Sequence, residues 1–249
     1  MKNPVRSTRR KSLGGAGQSG MATREVILLV VLFIMLAFAL SPLFKKEKAA
    51  ASSIVALNNL VQWGIGLNLY LIDHDNRLPL AGPSQADPEL KDAWYNALPP
   101  YLSQVPYGKL VSPGFNRADN SAIIWNDPSL AKIFGASQDL FIFPYAMNRY
   151  LQPLADQPAY AVYDMQSPRS VIFLAESAST DPGILPPAVS YRHSRKIDVP
   201  SAISHVLFVD GHAERTTREI LSKEPSGDPQ ENLPPISWLP FPAAPSPNY

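Results

Sequence analysis

The feature that most restricts the fold is an apolar segment near the amino terminus. Residues 26–44 form a run of 19 residues that only Ser41 and Pro42 interrupt. As an α-helix, with ~1.5 Å of rise per residue, this run would be roughly 28 Å long, close to the ~30 Å hydrocarbon core of a bilayer. The pattern therefore predicts a transmembrane helix over residues 21–44.

A basic leader precedes this segment. Residues 1–20 contain no acidic residue and five basic ones, namely Lys2, Arg6, Arg9, Arg10 and Lys11. Positive charge beside a first apolar helix stays in the cytoplasm, so the residues after 44 are expected outside it. A basic arm for nucleic acid is the alternative. The position of these charges beside the apolar segment and the net charge of +1 favour the topological interpretation, with no nucleic-acid partner.

Composition limits the distal part of the chain. There is no cysteine, which excludes disulfides, thiol catalysis and cysteine-based metal sites. The 26 prolines are abundant after residue 78 and argue against a mostly helical distal domain. About 200 residues follow the apolar segment, which is enough for one globular domain. We expect a leader at 1–20, the helix at 21–44, a distal domain at 45–223 and a proline-rich tail at 224–249.

The helix is expected to continue beyond the apolar segment. The pattern predicts one long helix from Met21 to about residue 72, kinked near Pro42. Its second half carries apolar residues and a glycine at spacings of three and four, which are Leu57, Leu60, Val61, Gly64, Leu67 and Leu71. Such a stripe must pack against a partner, and the distal domain is the nearest candidate.

Three distal segments have strand patterns. Residues 171–175 form a short apolar run behind Pro168, typical of a buried strand. Residues 206–209 and 212–216 flank Asp210-Gly211, which predicts a β-hairpin with a two-residue turn. Another strand is expected to begin at residues 141–143, short helices are expected near residues 89–98 and 217–223, and Trp238 is expected to pin the tail.

The amino-terminal residues resemble a known signal. Gly20, then Glu25 five residues later, then a long apolar helix with Pro42, resembles the prepilin-type signal of type IV pilins and type II secretion pseudopilins. The resemblance implies that a prepilin peptidase cuts between Gly20 and Met21 and methylates Met21. It also implies that Glu25 pairs with the amino terminus of a neighbouring subunit. Arg24 is the alternative, local partner of Glu25.

Two distal motifs extend the resemblance. Residues 145–148, Tyr-Ala-Met-Asn, are similar to a recurrent motif of large pseudopilin-like families. His193 followed by Asp210-Gly211 resembles the carboxy-terminal His…Asp-Gly signature of the prepilin-processing-associated domain. In this chain 16 residues separate the histidine from the aspartate, whereas the signature has nine, which indicates an insertion around residues 194–201.

The resemblance implies a fold, a function and partners. The expected fold is α+β and pilin-like, with a long amino-terminal transmembrane and amphipathic helix packed on an antiparallel sheet. The expected function is that of a structural pseudopilin-like subunit, not an enzyme and without a cofactor, anchored by a single pass in the bacterial inner membrane with its carboxy-terminal domain in the periplasm. The expected partners are prepilin peptidase, other pilin-like subunits and the inner membrane. The alternative is a permanently anchored periplasmic module that binds a ligand or a metal and never polymerises.

The histidines raise the question of a metal site. With a two-residue turn at Asp210-Gly211, His205 and His212 would share a face roughly 13 Å apart, too far to bind one ion. His193 could still meet Asp210 or His212, and structural hydrogen bonds are favoured over a ligand set. Glu176 follows the strand at residues 171–175 and is interpreted as a solvated strand end. We therefore expect no metal site.

Overall fold

A computed structural model gives the fold of most of the chain. It describes residues 23–115, 124–127, 129–130, 141–194, 196–222 and 236–240. For residues 23–24 and 38–49 it describes the backbone but not the side chains. The chain divides into two compact units, residues 1–46 and residues 47–249. The leader at residues 1–20 and most of the tail predicted at 224–249 lie outside the described residues.

The helices are one very long element and several short ones. Helix α1 is Thr23–Asp73, with 51 residues. The others are α2 (Trp94–Ala97), α3 (Tyr107–Leu110) and α4 (Arg218–Leu221), with 3-10 turns at Pro99–Leu102, Arg149–Leu151, Val162–Asp164 and Pro186–Ala188. The short helices expected near residues 89–98 and 217–223 are thus confirmed as α2 and α4.

One five-stranded sheet organises the second unit. Its strands are β1 (Phe143–Asn148), β2 (Ile172–Ser179), β3 (Gly183–Ile184), β4 (Ile203–Phe208) and β5 (Ala213–Thr217). The strand order is β3-β1-β2-β4-β5. The pairs β1–β2, β2–β4 and β4–β5 are antiparallel, whereas β3 runs parallel to β1.

The fold class predicted from the sequence is wrong. It was α+β and pilin-like, with a transmembrane helix packed on an antiparallel sheet. The sheet is mixed, because the chain reverses after β2 and then crosses β1, so that β3 pairs with the far edge of β1 in the same direction. Among the described residues, no helix is long and apolar enough to cross a membrane, which contradicts the span predicted at 21–44.

The hairpin at Asp210-Gly211 is confirmed, but its register differs by one residue. His205 pairs with Arg215 rather than with Thr216. The amide of Phe208 donates to the carbonyl of His212 at 2.9 Å, which closes a loop of three residues, 209–211. Gly211 adopts φ of +91°, a conformation that glycine reaches without strain and that the third residue of such a loop requires.

Both faces of the sheet are buried. One face packs on an aromatic cluster in which Trp63 makes edge-to-face contacts with Trp94 and Trp125, with ring centroids 5.4 and 5.1 Å apart. The opposite face packs on a second cluster that includes Phe208 and Trp238. Burial on both faces explains why all six residues of β1 are buried. It also confirms Trp238 as an anchor of the tail, because its indole nitrogen donates to Leu221 at 3.2 Å.

The carboxy-terminal part of α1 packs on the first face largely as its pattern predicts. Leu60, Leu67 and Leu71 are buried, whereas Val61 is 43% exposed. Trp63, which the stripe leaves out, is completely buried. Gly64 lies directly against the hairpin, because a Cβ added there would be 2.2 Å from the carbonyl oxygen of Gly211. Absence of a side chain at Gly64 therefore sets how closely α1 approaches the sheet.

We expect Gly64→Ala to lower the free energy of unfolding by about 1–3 kcal/mol, because backbone atoms must move to admit the methyl group. Denaturant unfolding of the full-length chain in detergent measures this. Gly66→Ala is the matched control in the same helix. Its Cβ would meet only the side chain of Leu102 at 3.0 Å, and a flexible side chain can give way. Equal destabilisation by both substitutions would contradict the close approach at Gly64.

Candidate functional site

A buried carboxylate lies at the centre of the sheet. Glu176 is in the middle of β2, and its side chain is completely buried. Its Oε2 atom accepts two hydrogen bonds at 3.2 Å from the neighbouring strand β4, one from the hydroxyl of Ser204 and one from the backbone amide of His205. These bonds fix the orientation of the carboxylate and leave its other oxygen, Oε1, for further partners.

Three basic groups converge on Oε1 of Glu176. The Nε2 atom of His193 lies 2.7 Å away, Nδ1 of His205 lies 3.3 Å away, and Nη2 of Arg192 lies 3.4 Å away. The side chains of all four residues are at most 1% exposed. We name Glu176, His193 and His205 the His-His-Glu cluster. Its three ligand-type atoms all lie within 4.8 Å of one another.

Arg192 is held mainly by a second carboxylate. Its guanidinium donates to Oδ2 of Asp127 at 2.7 and 3.2 Å. It also donates to the carbonyl oxygens of Ser177 at 2.7 Å and Pro144 at 2.9 Å. The other carboxylate oxygen of Asp127 accepts from the amide of Ser129 at 2.8 Å. Arg192 and Asp127 thus form a buried pair beside the His-His-Glu cluster.

Helix α1 holds the outer nitrogens of both histidines. Nδ1 of His193 lies 3.5 Å from the hydroxyl of Ser52, and Nε2 of His205 lies 2.9 Å from the hydroxyl of Ser53. Each imidazole therefore points one nitrogen at Glu176 and the other at the helix. A serine hydroxyl can donate or accept, so both contacts are compatible with either neutral tautomer of the ring.

Burial and neighbouring charges change the pKa of Glu176 in opposite directions. Burial by itself would raise the pKa of Glu176, but the charge of Arg192 and the hydrogen bond with His193 outweigh it and hold the pKa well below its ordinary value of 4.5. Burial would lower the pKa of Arg192, but Glu176 and Asp127 together raise it. Glu176 and Arg192 are therefore both charged at neutral pH.

The structure separates the predicted signature residues. His193 belongs to the His-His-Glu cluster. Asp210 instead contacts His212, the residue that follows the hairpin loop, through the amide of His212 at 3.1 Å and its ring Nδ1 at 2.5 Å. Gly211 provides the positive φ of that loop and the close contact with α1. The possible meeting of His193 with Asp210 or His212 does not occur, because His193 contacts Glu176 and Asp210 contacts His212.

The predicted processing residues lie before α1 and in its amino-terminal half. Gly20 and Met21 are outside the described residues. Glu25 is in the first turn of α1, with an exposed side chain. Pro42 lies within α1, and its side chain is among those left out. The cleavage and assembly roles of these residues stay predictions.

Sequence reasoning misplaced the most important residue of this site. Glu176 is not a solvated strand end, because β2 continues to Ser179 and its first six residues are buried. A charged residue inside a buried strand needs a partner of opposite charge. The adjacent basic residues Arg192 and His193 were the feature of the sequence that could have indicated such a partner. No periodicity in the sequence pointed to Ser52 and Ser53 or to Asp127.

A surface cleft of about 570 Å³ lies near the carboxy-terminal end of α1. Tyr70 and His74 line it, with their rings stacked 3.7 Å apart, and Asp92 and Tyr101 also line it. Burial, with smaller contributions from Asp92 and Tyr101, raises the pKa of Tyr70 to about 12, so this phenol stays protonated at neutral pH. The cleft therefore offers hydrogen bonds and stacking but no activated nucleophile at Tyr70.

Comparison with known proteins assigns this chain to no family. No protein family model, no curated protein and no solved structure matches it. The functional argument therefore depends on the described residues themselves.

We expect Glu176→Gln to lower the free energy of unfolding at pH 7 by about 3–5 kcal/mol, because it leaves Arg192 and the histidines without their shared carboxylate. The pKa of Glu176 is lower in the folded than in the unfolded chain, so its charge stabilises the fold above about pH 4.5. This contribution is lost as the pH falls toward the folded pKa. The difference between wild type and Glu176→Gln should therefore shrink below about pH 4.5, as measured by urea unfolding across pH.

Glu214→Gln is the matched control for this measurement. Glu214 is an exposed carboxylate on β5 of the same sheet, so its removal should change stability by less than about 0.5 kcal/mol at every pH. A Glu176→Gln difference that stays constant down to pH 2 would contradict the assigned charge of Glu176.

Proposed function

We propose that this protein is a structural subunit of the pseudopilin type, which assembles with other pilin-like subunits and catalyses no reaction. The observation that carries the proposal is the surface of the amino-terminal part of α1. All eleven residues from 26 to 36 are large and apolar, and their side chains are between 43% and 72% exposed. Eleven residues make three helical turns, so every side of the helix is apolar there.

Such a surface requires an apolar partner. Burying one large apolar side chain is worth about 1.5–3 kcal/mol relative to leaving it in water. Contiguous apolar patches of this kind mark interaction sites rather than free surface. The same segments of neighbouring subunits would match this surface, because each presents an equally apolar helix to the others.

Glu25 gives this assembly a direction. It is the acidic residue of the first turn of α1 and immediately precedes the apolar surface. In the proposed assembly its carboxylate pairs with the amino group of Met21 in a neighbouring subunit after cleavage behind Gly20. A charge brought into an apolar contact is tolerated only when it is paired, so this contact would fix the axial position of each subunit.

The partners follow from the same proposal. A prepilin peptidase would remove residues 1–20, and the inner membrane would be the place of processing. Membrane fractionation with and without an active peptidase tests both, because only the processed chain should lack residues 1–20.

We expect mass spectrometry of the mature protein to find a methylated amino terminus at Met21. We also expect Glu25→Ala to lower the assembled fraction by more than about tenfold in cross-linking experiments, since loss of one partner of a buried charge pair costs about 2–5 kcal/mol. Glu89→Ala is the control, because Glu89 is an exposed carboxylate in the second unit. Its assembled fraction should equal that of wild type.

Two results would overturn the proposal. One is a Met21 amino terminus that never forms in a host with active prepilin peptidase. The other is equal assembly of wild type and Glu25→Ala. Either would favour the alternative, a module that binds its ligand as a single subunit and never polymerises.

A further inference from the structure

We propose that the His-His-Glu cluster is a structural site for one divalent transition-metal ion of the zinc class. The proposed ligands are Oε1 of Glu176, Nε2 of His193 and Nδ1 of His205. This site is separate from α1 residues 26–36 and does not depend on the assembly function proposed above.

Charge balance is the first argument. Glu176 and Asp127 are both buried carboxylates, and Arg192 supplies one positive charge between them. With both imidazoles neutral the group carries a formal net charge of −1. An unbalanced charge in a dry interior is costly, so further positive charge is expected beside the two carboxylates. A proton on one histidine would bring the formal net charge to 0, and a divalent ion would bring it to +1.

The orphaned nitrogen of His205 favours the metal. Its Nδ1 atom is buried and has no hydrogen-bond partner, because the 3.3 Å contact with Glu176 lacks hydrogen-bonding geometry. A proton shared by His193 and Glu176 would leave that nitrogen unsatisfied. One divalent ion between the three side chains would bind that nitrogen and would offset the charges of the two carboxylates, leaving the charge of Arg192 in excess.

Two of the three ligand separations can be compared with the spacing around one ion, and the two histidine nitrogens lie within 4.8 Å of each other. Zinc binds histidine nitrogen at ~2.0–2.1 Å, so two ligand atoms of one tetrahedral ion are roughly 3.4 Å apart. The 3.3 Å separation between His205 Nδ1 and Glu176 Oε1 already matches this value. The 2.7 Å separation between His193 Nε2 and Oε1 would have to open by roughly 0.7 Å.

The surroundings of the three side chains resemble those of bound ligands. Histidines that bind metals usually hydrogen-bond through the other ring nitrogen, which sets the tautomer and the ring orientation. Ser52 and Ser53 occupy that position for His193 and His205. On the acid, Ser204 and the amide of His205 hold Oε2 and present Oε1 as a single donor.

Burial indicates a structural rather than a catalytic site. The side chains of the three proposed ligands are at most 1% exposed, so an ion there would exchange only when the fold opens. Such an ion would join β2, β4 and the turn at residues 191–194, and the histidines would link it to Ser52 and Ser53 of α1. We therefore expect the metal to enter during folding and to stabilise the folded chain.

The test is refolding of the full-length chain with Zn²⁺ alone as the probe. The chain is unfolded in guanidinium chloride with a chelator, then refolded in detergent with or without Zn²⁺, and bound metal is measured after gel filtration. We expect about one zinc per wild-type chain and a Tm at least about 5 °C higher with zinc. Zinc content below about 0.1 per chain, with an unchanged Tm, would overturn the proposal and leave a proton-balanced cluster.

His205→Gln is the discriminating variant, because it removes the orphaned nitrogen and keeps the side chain polar. It should lose at least about tenfold in zinc affinity, whereas the control His212→Gln should retain wild-type zinc, since His212 directly follows the hairpin loop and contacts Asp210. Equal zinc binding by His205→Gln and wild type would overturn the proposal. If His205→Gln fails to fold, Ser53→Ala replaces it, and we expect this variant to lose about tenfold in zinc affinity. The comparison of wild-type Tm with and without zinc needs no variant.

Discussion

The contact on which the second unit depends is the burial of Glu176 against Arg192, His193 and His205. A carboxylate without solvent in the centre of a sheet is tolerated only when several donors surround it. Those donors come from β4, from the turn at residues 191–194 and, through the histidines, from α1. One acidic side chain thus specifies the relative placement of three elements, with a directionality that apolar contacts lack.

Apolar packing supplies the remainder of the cohesion. The tryptophans around Trp63 fill the space between α1 and the sheet, and Gly64 brings the helix against the hairpin loop. Polar and apolar contacts of α1 occur along the same face, because Ser52 and Ser53 precede Leu60 by about two turns and Ala56 precedes it by about one. The hydroxyl of Tyr145 donates to the carbonyl of Ala56 at 3.1 Å and links the two kinds of contact.

Local patterns predicted the local structure well. The hairpin, the strand behind Pro168 and the buried leucines of α1 follow from turn chemistry and periodicity, which depend on neighbouring residues. The register of the hairpin is a local error, because the loop has three residues rather than two. The other errors are those that distant residues decide. The direction of β3 depends on a crossing over β1, and the burial of Glu176 depends on strands from both sides. The candidate site was therefore seen only in fragments, as His193 and His205 with other partners.

The sequence by itself determined that α1 begins with an apolar surface, that no thiol chemistry is possible and that Asp210-Gly211 turns the chain. These properties are encoded in residue type and short spacing. Only the tertiary structure decided that His193 and His205, twelve positions apart, meet Glu176 and not Asp210. The physical reason is that a buried charge takes its partners from whatever elements the sheet order brings beside it, and that order is set by packing over the whole unit.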